Sequence, residues 1–212
     1  MTFRADLHCH SYFSDGTDSP EELIALAKKS GLSALSITDH DTISAYETAV
    51  PAAKKEGIIL GTGAEFSSFY DTLNVHILAY DFDLASPAIH AFCEKHKERR
   101  KIRNDRILEK LKKRQMFIPE EELEKMGKQT LGRPHIAELM VKHGYVATAQ
   151  QAFDLYIGDG KICYDAGEPF TVDETIDIIH EARGKAFLAH PHFLGDGEKV
   201  FKLLEKPFDG IE

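Results

Sequence analysis

The sequence predicts an α/β fold built from strand–helix units and interrupted by a helical insertion. Three observations carry that prediction. Short apolar, strand-like runs alternate with amphipathic helical ones over roughly the first 80 residues. Residues 86–165 are charged and helix-patterned. The strand–helix alternation then resumes and continues to residue 212. Alternation of this kind is the signature of parallel β/α units, so we place an α/β body at 1–85 and 166–212 and a helical insertion at 86–165.

Each element has a local reason. "TFRADLHCH" reads as the first strand, and a helix opens at Ser19-Pro20. Ser19 suits the N-cap, Pro20 the first helical position, and Glu21-Glu22 the positive end of the helix dipole. Gly31 closes that helix before the strand "SALSITDH". A second helix spans about Ile43 to Lys55 and stops at Gly57, followed by "IILGTGAEFSS" and "NVHILAYDF". The insertion holds "AIHAFCEKHKERRKIRNDRILEKLKKRQM", "PEEELEKMG", "RPHIAELMVKHG" and "ATAQQAFDLYIG". After it come the helix "TVDETIDIIHEARG", the strand "KAFLAHPHF", a helix around Glu198–Leu204, and "FDGIE". A parallel body normally covers its last strand with a helix. The expectation is therefore that the C-terminal part of the body is missing from this chain.

Composition narrows the class. With 42% hydrophobic residues and a net charge of -9 over 212 residues, the chain suits a globular protein with a large core. No apolar stretch approaches the length of a membrane span, and the first residues enter a strand-like pattern at once. Cys9, Cys93 and Cys163 are too few and too scattered for a disulfide framework. A cytoplasmic location is the default expectation, with no membrane partner. The acidic balance argues against gripping long nucleic acid by phosphate contacts. Eleven Lys/Arg against three acids between Lys95 and Arg114 form a local exception, and an apolar stripe of Ile102, Ile107, Leu108 and Leu111 makes that run a packed amphipathic helix first.

The chemistry-bearing residues gather at strand ends. On a strand, Asp6, His8 and His10 share one face, and Leu7 and Cys9 the other. The polar row would point into a barrel or over the C-terminal edge of a sheet. One His-X-His pair can be an incidental surface feature. Here, however, His40 ends "SITDH", Glu65 ends "GTGAE", His76 lies in "NVHIL" and His190 ends "FLAH". Barrels and open α/β folds place their sites at that topological level. A buried row of charge needs partners, and cations are the natural ones. Imidazole and carboxylate without thiolate fit Mn²⁺ first, then Fe²⁺ or Zn²⁺, and fit Mg²⁺ less well. Two or more such cations can activate a water and neutralise phosphate oxygens.

"DLHCHSYFSDGT", "ITDHDT", the glycine-flanked Glu65, "VHIL", "GRPHIAELMVKHGYV" and "AHPHF" resemble the PHP (polymerase and histidinol phosphatase) superfamily. The nearest likeness is to its stand-alone phosphoesterases. The resemblance covers nearly the whole chain and implies a distorted (β/α)7 barrel of TIM-like type holding two to three divalent ions. It implies His8, His10 and Glu65 on the first ion, and Glu65, His76 and His190 on the second. Asp15 and His40 fall on a third. The family's later aspartate–histidine motif has no counterpart in these 212 residues, so the resemblance implies fewer metal ligands here than the family's full set.

Other residues receive lesser roles. Arg133 and His135 flank Pro134 at a predicted helix start, where anions bind readily. A plain surface helix start is the alternative, and the resemblance implies substrate-phosphate binding instead. Arg99, Arg100 or Arg103 could reach a substrate, and His192 could approach the cluster. Asp6 is expected to orient a ligand histidine from beneath, and Asp39 and Asp41 to brace the turn around His40. His90, His96, His143 and His180 read as structural or surface residues.

The expected function is a divalent-metal-dependent phosphoesterase acting on small phosphorylated metabolites. Its best candidate reaction removes the 3′-phosphate of a nucleoside 3′,5′-bisphosphate. The alternatives are a 5′→3′ exoribonuclease on short RNA, a histidinol-phosphatase-like activity, and a non-catalytic metal-stabilised module.

Overall fold

The computed structural model describes residues 2–126, 130–195 and 197–212. Gly127, at the end of the expected run "PEEELEKMG", lies outside the described residues. The chain divides into two compact units, Met1–Glu94 with Pro169–Glu212, and Lys95–Glu168.

The first unit carries two sheets. β1 (Ala5–Cys9), β2 (Ala34–Ile37) and β3 (Ile59–Gly61) pair in parallel in that order. Their crossovers are α1 (Pro20–Lys29) and α2 (Tyr46–Glu56). α1 starts with a reciprocal cap: Ser19 Oγ accepts from Glu22 N, and the Glu22 carboxylate accepts from Ser19 N at 2.8 Å. α2 stops at Gly57, whose φ of 70° is the left-handed conformation glycine adopts most cheaply. Ile24, Leu35, Ile37, Ala49 and Ala53 form the core between this sheet and its two helices.

The second sheet has the order β6-β4-β5-β7-β8 and is mixed. β4 (Gly63–Tyr70) and β5 (Leu73–Tyr80) pair antiparallel, which corrects the all-parallel expectation for this stretch. The reason is length: only Asp71 and Thr72 separate the two strands, room for a hairpin and not for a crossover helix. β5 also runs antiparallel to β7 (Lys185–Leu188), and β7 pairs in parallel with β8 (Gly210–Ile211). β6 (Phe170–Thr171), too short to show a period, pairs with β4 just before α7 (Val172–Glu181). A 3₁₀ turn at Pro191–Leu194 and α8 (Gly197–Leu203) follow β7. Phe66, Ile77, Phe92, Ile176, Ile179 and Leu188 fill the core of this sheet.

A single parallel bridge, His40 to Glu65, joins the segment after β2 to β4. Gly63 makes the close approach possible, because a Cβ there would lie 2.2 Å from Ser36 Oγ. The Tyr46 hydroxyl fills the same junction, accepting from Gly63 N while its one proton is shared between the backbone carbonyls of Ile37 and Gly61 at 2.8 and 2.9 Å.

The second unit is helical. It takes most of α3 (Pro87–Lys112), then α4 (Glu120–Glu124), α5 (Arg133–Lys142), α6 (Ala149–Ala152) and a π turn at Phe153–Ile157. Ile107, Leu111, Ile136, Met140, Ile157 and Cys163 lie in its core. The three cysteines are free thiols. Among the described residues no helix is long and apolar enough to cross a membrane.

Candidate metal centre

Glu65, third residue of β4, is buried with only 1% of its surface exposed. Five imidazoles converge on its carboxylate. On Oε2 lie His8 Nε2 at 3.2 Å, His10 Nε2 at 3.1 Å and His40 Nδ1 at 3.4 Å. On Oε1 lie His76 Nδ1 at 2.9 Å and His190 Nε2 at 2.8 Å. Asp15 closes the far side, 3.3 Å from His10 Nδ1 and 3.6 Å from His40 Nε2. All seven residues belong to the first unit.

The backbone explains how they meet. His8 lies on β1, and the register between β1 and β2 shifts between Asp6 and Cys9, so strict alternation fails there. Leu7 is consequently half exposed, and Cys9 packs against the core of the parallel sheet. His10 follows β1 in the turn that carries Asp15. That turn is pinned by Asp39, whose buried carboxylate accepts from Ser11 N at 2.7 Å, Ser11 Oγ at 2.5 Å and Ser14 Oγ at 2.6 Å. Asp41 fixes the other side by accepting from Ser67 N at 2.7 Å. His76 sits mid-strand on β5, opposite Ser67, and not near a strand end as expected. In a mixed sheet an antiparallel strand crosses the site level partway along its length. His190 follows β7 in a left-handed conformation with φ of 30°.

A direct test of whether cations fit is the set of facing atoms. His8 Nε2, His10 Nε2 and Glu65 Oε2 form a triangle with edges of 3.1 to 3.2 Å. Bonds of about 2.1 Å to one ion would give ligand edges of about 3.0 Å in an octahedron and about 3.4 Å in a tetrahedron. His10, Asp15 and His40 make a second such group, and His40, Glu65 and His76 a third. His10 and His40 are thus shared between groups, whereas the family resemblance gave each a single ion. His40 Nδ1 and His76 Nδ1 are buried without hydrogen-bond geometry, although Glu65 oxygens lie within 3.4 Å. Lone-pair atoms crowded together without shared protons are what a cation site requires. The residues fit divalent metal.

The electrostatics agree. Burial alone would push the Glu65 carboxyl up, but the charges of His40 and its hydrogen-bonded imidazole neighbours hold it far below the usual carboxylate range. The hydrogen bond to Glu65 pushes His8 up to about 9 against the opposing effect of burial. Burial instead holds His40 below the usual imidazole range. In Asp15, burial is outweighed by the charges of His40 and His10, so the carboxyl stays ionised to lower pH. Anionic oxygens persist here at neutral pH, ready to meet cations.

Several expectations change. Asp6 accepts from the backbone N of His8 at 3.2 Å and does not touch its ring. The ring's Nδ1 lies instead 2.8 Å from Glu212, which sequence reasoning missed. A signal was present: Gly210-Ile211-Glu212 repeats the Gly63-Ala64-Glu65 pattern, although Glu65 falls at the start of β4 and not at a strand end as expected, because the strand runs on to Tyr70. His192 is exposed and lies against Phe193, ring centroids 4.1 Å apart and planes tilted by 39°. His90 bonds the Leu84 carbonyl, His143 meets Glu122, and His180 meets Asp209. In the helical unit, Arg133 pairs with Asp159 and lies over the Tyr164 ring. His135 is buried, and its Nδ1 accepts from Gly132 N at 3.0 Å, tying down the start of α5.

With the fold and these seven side chains in place, the chain can be compared with known proteins. The PHP domain family model matches residues 6–157. The chain belongs to that family and to its class of metal-dependent phosphoesterases. It is 37% identical over 205 residues to a 5′-3′ exoribonuclease of Haemophilus influenzae, covering 96% of this chain and 75% of that one. It is 30% identical to a 3′,5′-nucleoside bisphosphate phosphatase of Chromobacterium violaceum, covering 88% of this chain and 66% of the relative. A crystal structure of a Bifidobacterium adolescentis protein, assigned as a metal-dependent phosphoesterase, superposes with a TM-score of 0.87 at 30% identity. That match spans 100% of this chain and 77% of the other.

Proposed function

We propose that the protein hydrolyses the phosphate ester at the 3′-oxygen of a 5′-phosphorylated nucleotide, with a nucleoside 3′,5′-bisphosphate as preferred substrate. One observation carries the reading: a single buried carboxylate divides five imidazoles, three on Oε2 and two on Oε1. That division suits Glu65 to bridge two cations, with His8 and His10 on one side and His76 and His190 on the other. Asp15 and His40 offer a third position, and Mn²⁺ fits the donor set ahead of Fe²⁺ or Zn²⁺. Bound there, divalent cations supply Lewis acidity toward phosphate oxygens and activate a water near neutral pH. Water oxygen bonds to phosphorus, the bond from phosphorus to the 3′-oxygen breaks, and that oxygen takes a proton. The products are a nucleoside 5′-monophosphate and inorganic phosphate.

Arg133 and His135 are the proposed phosphate-binding residues of the helical unit. In support, two further guanidinium groups gather at the same helix start. A Cβ on Gly132 would lie 2.8 Å from Arg100 Nη1 and 3.6 Å from Arg103 Nη2. Positive groups around a helix N-terminus favour a phosphate. We place the protein in the cytoplasm, as a phosphoesterase of small nucleotides requires no export.

A second reading is 5′→3′ hydrolysis of short RNA, favoured by the name of the Haemophilus influenzae relative. It needs the same chemistry, since the leaving group is again the 3′-oxygen of a 5′-phosphorylated nucleotide. The test is product release with Mn²⁺ from adenosine 3′,5′-bisphosphate, a short 5′-phosphorylated RNA and histidinol phosphate. Adenosine 5′-monophosphate and phosphate from the first, at the highest kcat/KM, is the expected result. Faster mononucleotide release from RNA would move the assignment to the second reading. Mn²⁺ binding without turnover of any of the three would make the protein a metal-stabilised module.

A further inference from the structure

We infer that Glu212 is a positioning residue that fixes the rings of His8 and His190 from behind the metal centre. This rests on the metal-centre reading, and it assigns a role to a residue outside the seven clustered side chains. The Glu212 carboxylate is shared between two backbone segments. Its Oε1 lies 2.8 Å from His8 Nδ1, and its Oε2 accepts from the backbone N of His190 at 3.1 Å. Glu212 is itself held by the sheet, since its backbone N donates to the Leu188 carbonyl at 3.0 Å, beside the Leu188–Ile211 pair.

The consequence for His8 is a choice of tautomer. A carboxylate accepts and does not donate, so Glu212 draws the proton of the neutral ring toward Nδ1, against the pull of Glu65 on Nε2. That tautomer leaves the lone pair on Nε2, the atom 3.2 Å from Glu65 Oε2 and 3.2 Å from His10 Nε2, where a cation would need it. A carboxylate behind a metal-binding imidazole sets ring orientation and raises ligand basicity. The consequence for His190 is conformational. Its φ of 30° is a left-handed backbone that a β-carbon disfavours. The hydrogen bond to Glu212 supplies an interaction that favours this conformation, and the conformation delivers His190 Nε2 to Glu65 Oε1 at 2.8 Å. The two rings also stack, with centroids 5.9 Å apart and planes 23° from parallel. One carboxylate thereby braces ligands on both sides of Glu65.

Two measurements on the 212-residue chain test this, with Glu205→Gln as a control that removes an exposed acid in the segment before β8. The first is Mn²⁺ titration of wild type, Glu212→Ala and Glu212→Gln, read by electron paramagnetic resonance of free Mn²⁺. Glu212→Ala should weaken binding about 10- to 100-fold, and the control should match wild type. Glu212→Gln, which keeps one acceptor oxygen, should fall between. The second needs no metal: long-range ¹H–¹⁵N spectra of the ion-free protein, followed to the alkaline pH at which the His8 ¹⁵N shifts themselves report a neutral ring. Wild type should keep a share of the His8 proton on Nδ1, and Glu212→Ala should shift it toward Nε2, the side that faces Glu65. Equal Mn²⁺ affinity in variant and wild type overturns the inference and leaves the metal-centre reading intact. If wild type binds no Mn²⁺, that reading fails. The His8 tautomer then decides alone, an unchanged tautomer in Glu212→Ala refuting the bracing role. Should Glu212→Ala fold poorly by circular dichroism, Glu212→Gln carries both comparisons.

Discussion

At the scale of single residues, Glu65 concentrates the chemistry because it is the one carboxylate that five histidines share. Its two oxygens face different sets of rings, so an amide cannot replace it: one of its two atoms would become a donor aimed at cation-binding nitrogens. Glu65→Gln is expected to weaken Mn²⁺ binding by more than about 100-fold, beyond the usual effect of losing a residue behind a ligand. Phosphate release should fall with it while the far-UV circular dichroism is unchanged. Retained Mn²⁺ affinity in this variant would refute Glu65 as the bridging group. The position itself depends on Gly63, two residues earlier, where any side chain would collide with Ser36.

At the scale of elements, the turn after β1 and the β7–β8 pair show how polar groups hold the site level in place. Asp39 accepts three hydrogen bonds from Ser11 and Ser14, all buried. Asp39→Ala strands those donors, and each buried unpaired group costs about 1–3 kcal/mol. We expect a loss of roughly 3 kcal/mol or more in urea unfolding, together with weaker Mn²⁺ binding as Asp15 loses its support. Unchanged stability would show that the turn is held by something else. Asp209 does similar work at the other end of the unit, accepting from Lys185 Nζ, Ala186 N and His180 Nε2 at 2.8 to 2.9 Å. Burial raises its pKa, but these donors outweigh burial and hold it at about 2. An unfolded aspartate titrates near 3.9. The folded value is depressed, so the stabilisation is complete above about pH 4 and is lost as pH falls through about 2. Asp209→Asn should therefore have a lower Tm than wild type at pH 7, with the gap narrowing between pH 4 and pH 2. A gap constant across that range would refute the assignment.

At the scale of the whole molecule, each unit has its own apolar core, and the metal centre belongs to the first. Metal that binds the folded chain and not the unfolded one must raise its stability. At a free concentration one hundred times Kd, the gain is about 2.7 kcal/mol per site. Mn²⁺ should accordingly raise Tm in a concentration-dependent way, and a chelator should reverse it. A Tm indifferent to Mn²⁺ would count against the centre as a whole, whatever the substrate.

Much of this was legible before any coordinates. The Ser19 cap, the Gly57 stop and the α7 run announce themselves because they are local: a few adjacent residues settle the backbone. His8, His10, His40 and His190 were readable for a related reason, since each lies in the last residues of a short strand or just after it. The β4–β5 hairpin was misread because apolar runs have the same composition in parallel and antiparallel strands, and only pairing distinguishes them. The register shift in β1, the mid-strand place of His76 and the reach of Glu212 to His8 were likewise decided by tertiary structure. Each depends on where a distant strand lies, and His8 and Glu212 are 204 positions apart. The sequence determined which chemistry the chain carries. Only folding decided which oxygen faces which ring, because that geometry comes from packing between elements and not from the order of residues along any one of them.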